Sequence, residues 1–536
     1  MIDAKKDTAE GAYFMAERKK FPLGTQDFET LKKNSEFYLD KTPQLHSLLE
    51  NSGRYNFLSR PRRFGKSLML SVLKNLFLGN RELFEGLYIY DYFAFKKYPV
   101  LHLSFAGISK SDDLGEYIKY NGKIHIDEKV IKIKDFDYFN IGAILEETSQ
   151  KAGQPVVVLI DEYDKPILVH LKNFQKAEDV RDFFQGFYAP VKDSDQYIKF
   201  FMMTGLTKLM KMSIFSELNH LKDISFVGRY TDLIGYTQNE VEKNFSEEIK
   251  VIAQKKDKDV QQLLQQIKEE YNGFNFGDKQ LYNPWDINNF IENEAFGYYW
   301  SETGIPSAIS AYMQSTAVNI QNIIDKERNN TLSVNEMKLR VQDLQQLQPE
   351  VLLFNAGYLT IRYKDEKNHY YLKFPNKEAE QVMLEYFLDL SLGKNYDLDE
   401  WKDVSNQITS GIFAENQETI QAGIKKLIYR NCAHLPYDWH NKNPEGWLKS
   451  MVGVAIRMNN IYYIGENQNI IGRTDLHIPK DDTVYVLEFK VDGNTEEAIK
   501  QIEDNYELSY KNSFAEVVKI GINWNRQGKE IEVLIE

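Results

Sequence analysis

Cysteine is almost missing from this chain: among 536 residues there is one, Cys432. One thiol makes neither an intrachain disulfide nor a Cys-based zinc site, which predicts a reducing, cytoplasmic setting. No apolar run approaches the roughly 18 residues that span a bilayer, so no membrane span is expected. The first twenty residues, MIDAKKDTAEGAYFMAERKK, carry charges but no apolar h-region, and no secretion signal is expected there. A basic excess is missing too. The 66 Lys plus Arg stand against 79 Asp plus Glu, a net charge of −13, which excludes a general polyanion binder and confines any nucleic-acid contact to a local patch. The nine histidines form no close metal-ligand pair, the nearest being His434 and His440. What the chain has is core material: 42% hydrophobic residues, 33 Tyr and 32 Phe, too much for a largely disordered chain. At about 150 residues per domain the length predicts two to four domains.

There is no internal repeat and no Pro-rich or Gly/Ser-rich linker, so boundaries must come from changes of pattern. From Arg54 to Gly235, short apolar runs alternate with helical stretches. Arg54–Ser59, Val100–Phe105, Pro155–Ile160 and Ile198–Met203 read as strands, and Ser67–Leu78 and Phe139–Gln150 as helices. Alternation of this kind predicts an α/β fold with a three-layer, mostly parallel sheet over residues 1–235. Residues 107–135 are polar and read as an insertion. Residues 236–390 read as helical, with an amphipathic piece at Gln261–Glu270 and a small helix-plus-hairpin unit at Val351–Asn376. After a linker ending near Glu400, residues 400–536 read as a second α/β domain.

The run Arg60-Pro61-Arg62-Arg63-Phe64-Gly65-Lys66-Ser67 follows a strand and opens a helix, the setting of a P-loop. Backbone N–H groups of Gly65 and its neighbours would converge on phosphate oxygens at the helix N-terminus. Lys66 would reach the β/γ-phosphates and Ser67 would offer its hydroxyl to Mg²⁺. The usual first glycine is replaced by Arg60, which precedes Pro61 and is therefore expected to be extended. Arg62 and Arg63 either add phosphate contacts or face a neighbouring subunit. A second element supports the first: Val156–Ile160 is a continuous apolar run, expected of a central strand, and it ends in Asp161 and Glu162. Asp161 would complete the Mg²⁺ shell and Glu162 would orient or deprotonate a water. Thr204, at the end of a strand expected between the two phosphate-site strands, would sense the γ-phosphate.

A further constellation lies near the C-terminus. If Ile470–Ile478 pairs antiparallel with Thr483–Val491 about a turn between Asp481 and Asp482, Asp475 falls opposite Glu488 and Arg473 opposite Lys490, all on one face. Two hard oxygen ligands on neighbouring strands suit Mg²⁺ or Mn²⁺, and Lys490 would position a water or neutralise charge. The same four residues also read as a cross-strand salt-bridge ladder. Gln501, on a following helix, would contact the metal water or substrate, and Glu445 is a candidate third carboxylate. From Ile471 to Glu536 there are 8 Lys plus Arg against 14 Asp plus Glu, so a basic surface must come from Lys442, Lys449 and Arg457 or from the first domain.

Taken together, Phe37–Thr42 (FYLDKT), Arg60–Leu68 (RPRRFGKSL), Ile160–Ile167 (IDEYDKPI), Ser213–Ser216 (SIFS) and Tyr282-Asn283-Pro284 resemble the bacterial AAA-ATPase-like family. Gly472–Asp475, Leu487–Lys490 and Gln501 resemble the PD-(D/E)XK nuclease-superfamily domain that such proteins carry at the C-terminus. The resemblance implies ATP binding at Lys66 and Ser67, with Asp161 and Glu162 beside them. It also implies a nuclease-type site at Asp475, Glu488 and Lys490, with nucleic acid, DNA rather than RNA, as partner. A homo-oligomer is left open. The expected function is an ATP-gated, Mg²⁺-dependent nuclease. The alternative is a nucleotide switch or nucleic-acid-binding protein with a silent nuclease fold.

Overall fold

The structure, a computed structural model, describes residues 19–536 apart from 127–128, 137–139, 210–220, 303–304, 316–319, 341–346, 393–397, 432–442, 460, 462, 466–467, 470–471, 474 and 512–513. Ser213–Ser216, Cys432, His434, His440 and Lys442 lie outside the described residues, and so does the side chain of Arg473.

The first layer system is a seven-stranded sheet built from β1 (Tyr55–Ser59), β2 (Val100–Ser104), β3 (Lys123–Ile126), β4 (Lys129–Lys132), β5 (Val156–Asp161), β6 (Ile198–Gly205) and β7 (Lys222–Asp223), in the order β4-β3-β2-β5-β6-β1-β7. The five strands β2, β5, β6, β1 and β7 are parallel. β6 therefore lies between the loop-bearing strand β1 and the acidic strand β5, the order that the strand count predicts. Every residue of β1 and β5 is buried, because helices cover both faces. The polar stretch 107–135 is more than a loop. It forms the helix Leu114–Asn121 and the β3–β4 hairpin, which extends the sheet antiparallel from β2.

The helices Gln238–Asn244, Ser246–Lys255, Val260–Tyr271 and Pro284–Asn293 close over a small core of their own. In Val260–Tyr271 the 3.6-residue period puts Leu263, Leu264, Ile267 and Tyr271 inward, and Asp259 caps the first turn. Phe21 and Leu39 join this core, tying the N-terminal segment to it. β8 (Phe274–Asn275) and β9 (Gln280–Leu281) make a short hairpin. β10 (Ser333–Asn335) adds a third strand, not anticipated, to the hairpin of β11 (Thr360–Lys364) and β12 (His369–Lys373).

The C-terminal part has β13 (Ile464–Gly465), β14 (Gln468–Asn469), β15 (Gly472–Arg473), β16 (Leu476–Lys480), β17 (Thr483–Val491), β18 (Glu516–Asn525) and β19 (Glu530–Ile535). The main sheet runs β13-β16-β17-β18-β19. The helix Thr495–Lys511 carries the chain from β17 to the parallel strand β18, and the helix Pro444–Met458 packs beside β17. Buried apolar side chains form one continuous cluster from Phe28 to Val533, so the C-terminal sheet is packed onto the rest of the chain. Among the described residues no helix is long and apolar enough to cross a membrane.

Candidate functional site

The loop after β1 enters the helix Lys66–Leu78 through Gly65, whose φ of +97° is costly for a side-chain-bearing residue. Arg63 also has positive φ, at 60°, so the loop is strained where a ligand would sit. Ser67 Oγ donates to Asp161 Oδ2 at 2.6 Å. Thr204 Oγ1 and the Glu162 backbone N–H donate to Asp161 Oδ1 at 2.7 and 3.0 Å. β1, β5 and β6 thus bring Ser67, Asp161, Glu162 and Thr204 together, as expected from the strand ends. Thr204 is fully buried and is not part of the lining of the cavity beside the loop; its hydroxyl is used on Asp161.

Lys66 Nζ donates to the carbonyls of Arg60 and Pro61, at 2.8 Å each. Burial pushes its pKa down, while Glu162 and Asp161 pull it up. Arg60 is no phosphate ligand. Its guanidinium is buried, donates to the carbonyls of Ser59, Ser225 and Thr231, and stacks 4.1 Å from the centre of the Phe276 ring. Where the common loop has glycine, this one has a bolt that joins the end of β1 to the 225–231 segment. Arg63 lines the cavity beside the loop and is tied to the segment 283–300. It donates to the Tyr299 carbonyl at 2.5 Å and lies 4.5 Å over Trp285. The Arg62 carbonyl accepts from Asn283 Nδ2 and Trp300 Nε1, each at 3.2 Å. The segment 283–300 therefore clamps the loop, a role that nothing in the loop's own spelling signals.

Beside the loop lies a cavity of about 610 Å³. Residues 62–69, Glu162, Phe37–Leu39 and Leu233–Tyr236 are among its lining. A cavity of this size beside a glycine-bearing loop and a helix N-terminus has room for a nucleotide.

In the C-terminal sheet, Leu476 pairs with Leu487 and Lys480 with Thr483, the register anticipated for the hairpin, so Asp475 falls opposite Glu488. The Asp475 N–H donates to Glu488 Oε2 at 3.2 Å, and the Phe489 N–H donates to Asp475 Oδ2 at 3.0 Å. Gln501 bridges the remaining pair: its amide donates to Glu488 Oε1, and its Oε1 accepts from Lys490 Nζ at 2.6 Å. Burial and the neighbouring Asp475 push the Glu488 carboxyl up to about 8, against the pull of Lys490. Glu445 is a neighbour of the same charges; burial, then Asp475, raise its pKa, and Lys490 and Lys449 oppose this. The expected pairing does not continue to Arg473, which takes Gln468 as its strand partner in β14. The basic surface anticipated from Lys449 and Arg457 is also spent. Lys449 sits 3.3 Å from Asp475, and Arg457 sits 2.5 Å from Glu380.

No cluster of three or more His, Cys, Asp or Glu side chains suited to a metal occurs among the described residues. Mg²⁺ does not require one: it keeps several waters and takes one or two carboxylates. Asp475 and Glu488 fit that demand, being hard oxygen donors side by side on neighbouring strands.

A strand-inserted P-loop core joined to a hairpin-and-helix carboxylate domain defines a class: nucleotide-site proteins with a nuclease-type C-terminal part. The comparisons agree. Residues 22–215 match the family described as predicted AAA-ATPase (AAA-ATPase-like), and residues 443–533 match the PD-(D/E)XK nuclease superfamily. The chain is 32% identical to a protein of Azotobacter chroococcum mcd 1, named as the uncharacterized protein in the vnfD 5′ region, over 96% of this chain and 98% of that one. No solved structure matches. The chain belongs to the AAA-ATPase-like family and carries a PD-(D/E)XK nuclease-superfamily domain in its C-terminal region. Domains of these two kinds generally use a nucleotide and a divalent metal.

Proposed function

We propose that this protein binds ATP and is a Mg²⁺-dependent nuclease, with nucleotide state governing cleavage of nucleic-acid phosphodiester bonds, DNA rather than RNA. The carrying observation is the pairing of Asp475 and Glu488 in one register, with Glu488 pushed up to about 8 by burial and by Asp475. In this reading residues 1–235 are the ATPase core, 236–390 a lid region and 400–536 the nuclease-like domain. Lys66, with Arg62 beside it, holds phosphates, Ser67 and Asp161 hold the nucleotide's Mg²⁺, and Glu162 orients water. Mg²⁺ or Mn²⁺ on Asp475 and Glu488 supplies a Lewis acid and a more acidic bound water. Lys490, steadied by Gln501, faces Glu488 and offers fixed positive charge where charge develops on the phosphate.

Gating finds support in a contiguous set of contacts. Arg63 of the loop bonds Tyr299. Ser301, two residues on, donates through its N–H and hydroxyl to Glu378 at 2.9 and 2.8 Å. Glu378 lies on the helix Lys377–Leu392, whose Glu380 pairs with Arg457 on the helix that carries Glu445 and Lys449. A loop that shifts on binding ATP therefore pulls on an element of the carboxylate site.

The test is to incubate the full-length protein with plasmid, linear DNA, single-stranded DNA and RNA, with and without Mg²⁺ and ATP. Mg²⁺-dependent cleavage whose rate changes with ATP, and loses that change in Arg63→Ala, supports the reading. Absence of cleavage on every substrate favours a nucleotide switch with a silent nuclease fold.

A further inference from the structure

The turn after β5 sorts its four residues to two sides. Tyr163 and Asp164 are buried and pinned to the segment that follows β6. The Tyr163 N–H donates to the Thr204 carbonyl and its hydroxyl to the Thr207 carbonyl, each at 3.1 Å. Asp164 accepts the Leu206 N–H at 3.2 Å and the Thr207 hydroxyl at 2.6 Å. Glu162 and Lys165 are both part of the lining of the cavity beside the phosphate loop. The Glu162 backbone has a φ of +49°, which a residue with a side chain keeps only where its surroundings fix it. The turn is therefore a rigid mount that presents a carboxylate and an ammonium to the cavity.

Lys165 Nζ donates to the carbonyl of Ala106, which follows β2, and lies 3.5 Å from Glu162 Oε2; its side chain is 29% exposed. An ammonium has three donors. One is used on Ala106, and 3.5 Å is too long for Glu162 to hold a second firmly. Lys165 can thus accept a further anion without leaving its seat. In the sheet order β2-β5-β6-β1, the acidic pair of β5 falls between Ala106, after β2, and Lys66, after β1. Of the cavity's other cations, Lys41 is paired with Glu240 at 2.7 Å and Arg63 holds the Tyr299 carbonyl. If Lys66 takes the β/γ-phosphates and Glu162 orients a water against the terminal one, that phosphate lies next to Glu162. An ammonium 3.5 Å from the same carboxylate stands beside it.

We propose that Lys165 is the residue through which the site tells a nucleoside triphosphate from a diphosphate: seated on the Ala106 carbonyl beside Glu162, its ammonium takes an oxygen of the terminal phosphate, which a diphosphate does not have. This rests on the nucleotide reading of the cavity. Lys66 then serves both nucleotides, and Lys165 serves the triphosphate alone.

The experiment uses the full-length chain and calorimetric titration, in Mg²⁺, with two probes: ADP and the β,γ-imido analogue of ATP, which is not hydrolysed. Wild type, Lys165→Met, Lys165→Arg and Lys66→Ala are compared, and a melting curve without nucleotide checks that each variant is folded. Lys165→Met is expected to bind the analogue about tenfold or more weakly, the loss of one charge-assisted contact, and to bind ADP within about twofold of wild type. Lys165→Arg, which keeps the charge, should retain most of the preference for the triphosphate, and failure to do so overturns the inference. Lys66→Ala should weaken both probes. A Lys165→Met protein that binds the analogue like wild type, or that loses affinity for both probes equally, overturns the inference and leaves the nucleotide reading standing. A wild type that binds neither probe, or a Lys66→Ala protein that binds both like wild type, sinks the nucleotide reading with it.

Discussion

Lys66 has two sets of partners, one present and one prospective. Its ammonium is buried and satisfied by the Arg60 and Pro61 carbonyls. In the proposed reading phosphates replace these two carbonyl hydrogen bonds with charge-assisted ones. Lys66→Ala is expected to lose about 1.5–3 kcal/mol of ATP binding, roughly 10- to 150-fold in affinity. Calorimetric titration with ATP checks this, and equal affinities would remove the phosphate role. A second residue-scale feature is the buried pair Asp286 and Glu378. Burial raises both carboxyls, and Glu378 is pushed up to about 7. The folded state therefore holds protons that the unfolded chain has released. Their contribution to stability is fully present below about pH 4 and is lost as pH rises through 7, each tenfold gain in proton affinity on folding being worth about 1.4 kcal/mol. Glu378→Gln keeps the acceptor for Ser301 and removes the titration. Melting temperatures measured from pH 5 to 8 should fall less steeply for the mutant than for wild type.

At the scale of elements, the phosphate loop is shaped from outside its own strand and helix. Gly357 ends the helix Pro349–Ala356 at a φ of +95°. A Cβ there would stand 2.9 Å from both Pro61 and Trp300. Trp300 in turn bonds the Arg62 carbonyl and packs on Tyr358, with ring centres 4.9 Å apart. Gly357→Ala meets both a steric clash and a disfavoured backbone, a destabilisation of about 1–3 kcal/mol. Because the clash falls on the loop, ATP affinity should drop along with the melting temperature. A mutant that melts lower but binds ATP like wild type would show that the clamp does not set the loop's shape. The same scale shows how much local pattern reveals. The apolar run Val156–Ile160, the Asp481–Asp482 turn and the helix after Gly65 were legible because burial, turn chemistry and capping act between near neighbours. The break between β15 and β16 was not, since Arg473 pairs with Gln468 in preference to continuing the hairpin.

At the scale of the whole molecule, two chemically distinct sites sit on two sheets and share one continuous core. Asp475→Ala and Glu488→Ala are expected to abolish Mg²⁺-dependent cleavage and leave ATP affinity within about twofold, since no residue of the phosphate loop touches them. Glu488→Ala relieves the repulsion with Asp475, whereas Asp475→Ala also takes a carboxylate from Lys449, so the metal-free melting temperature of Asp475→Ala should be the lower of the two. Parallel cleavage, calorimetry and melting measurements check all three. A mutant that melts several degrees lower and has no cleavage to lose would return the pair to a structural role.

The sequence by itself determined where the two candidate constellations lie. Gly65, Lys66 and Ser67 after a strand, Asp161 and Glu162 at the end of another, and Asp475 opposite Glu488 all follow from short-range rules of alternation, turns and helix starts. Tertiary structure alone decided what these residues touch. Arg60 as a buried bolt, Arg63 on Tyr299 and Trp285, Asp286 beside Glu378, and Lys449 on Asp475 are pairings between residues 26 to more than 200 positions apart. No local propensity encodes them: each exists because packing brings a charge out of water, and a buried charge must find a partner, a proton or a ring face.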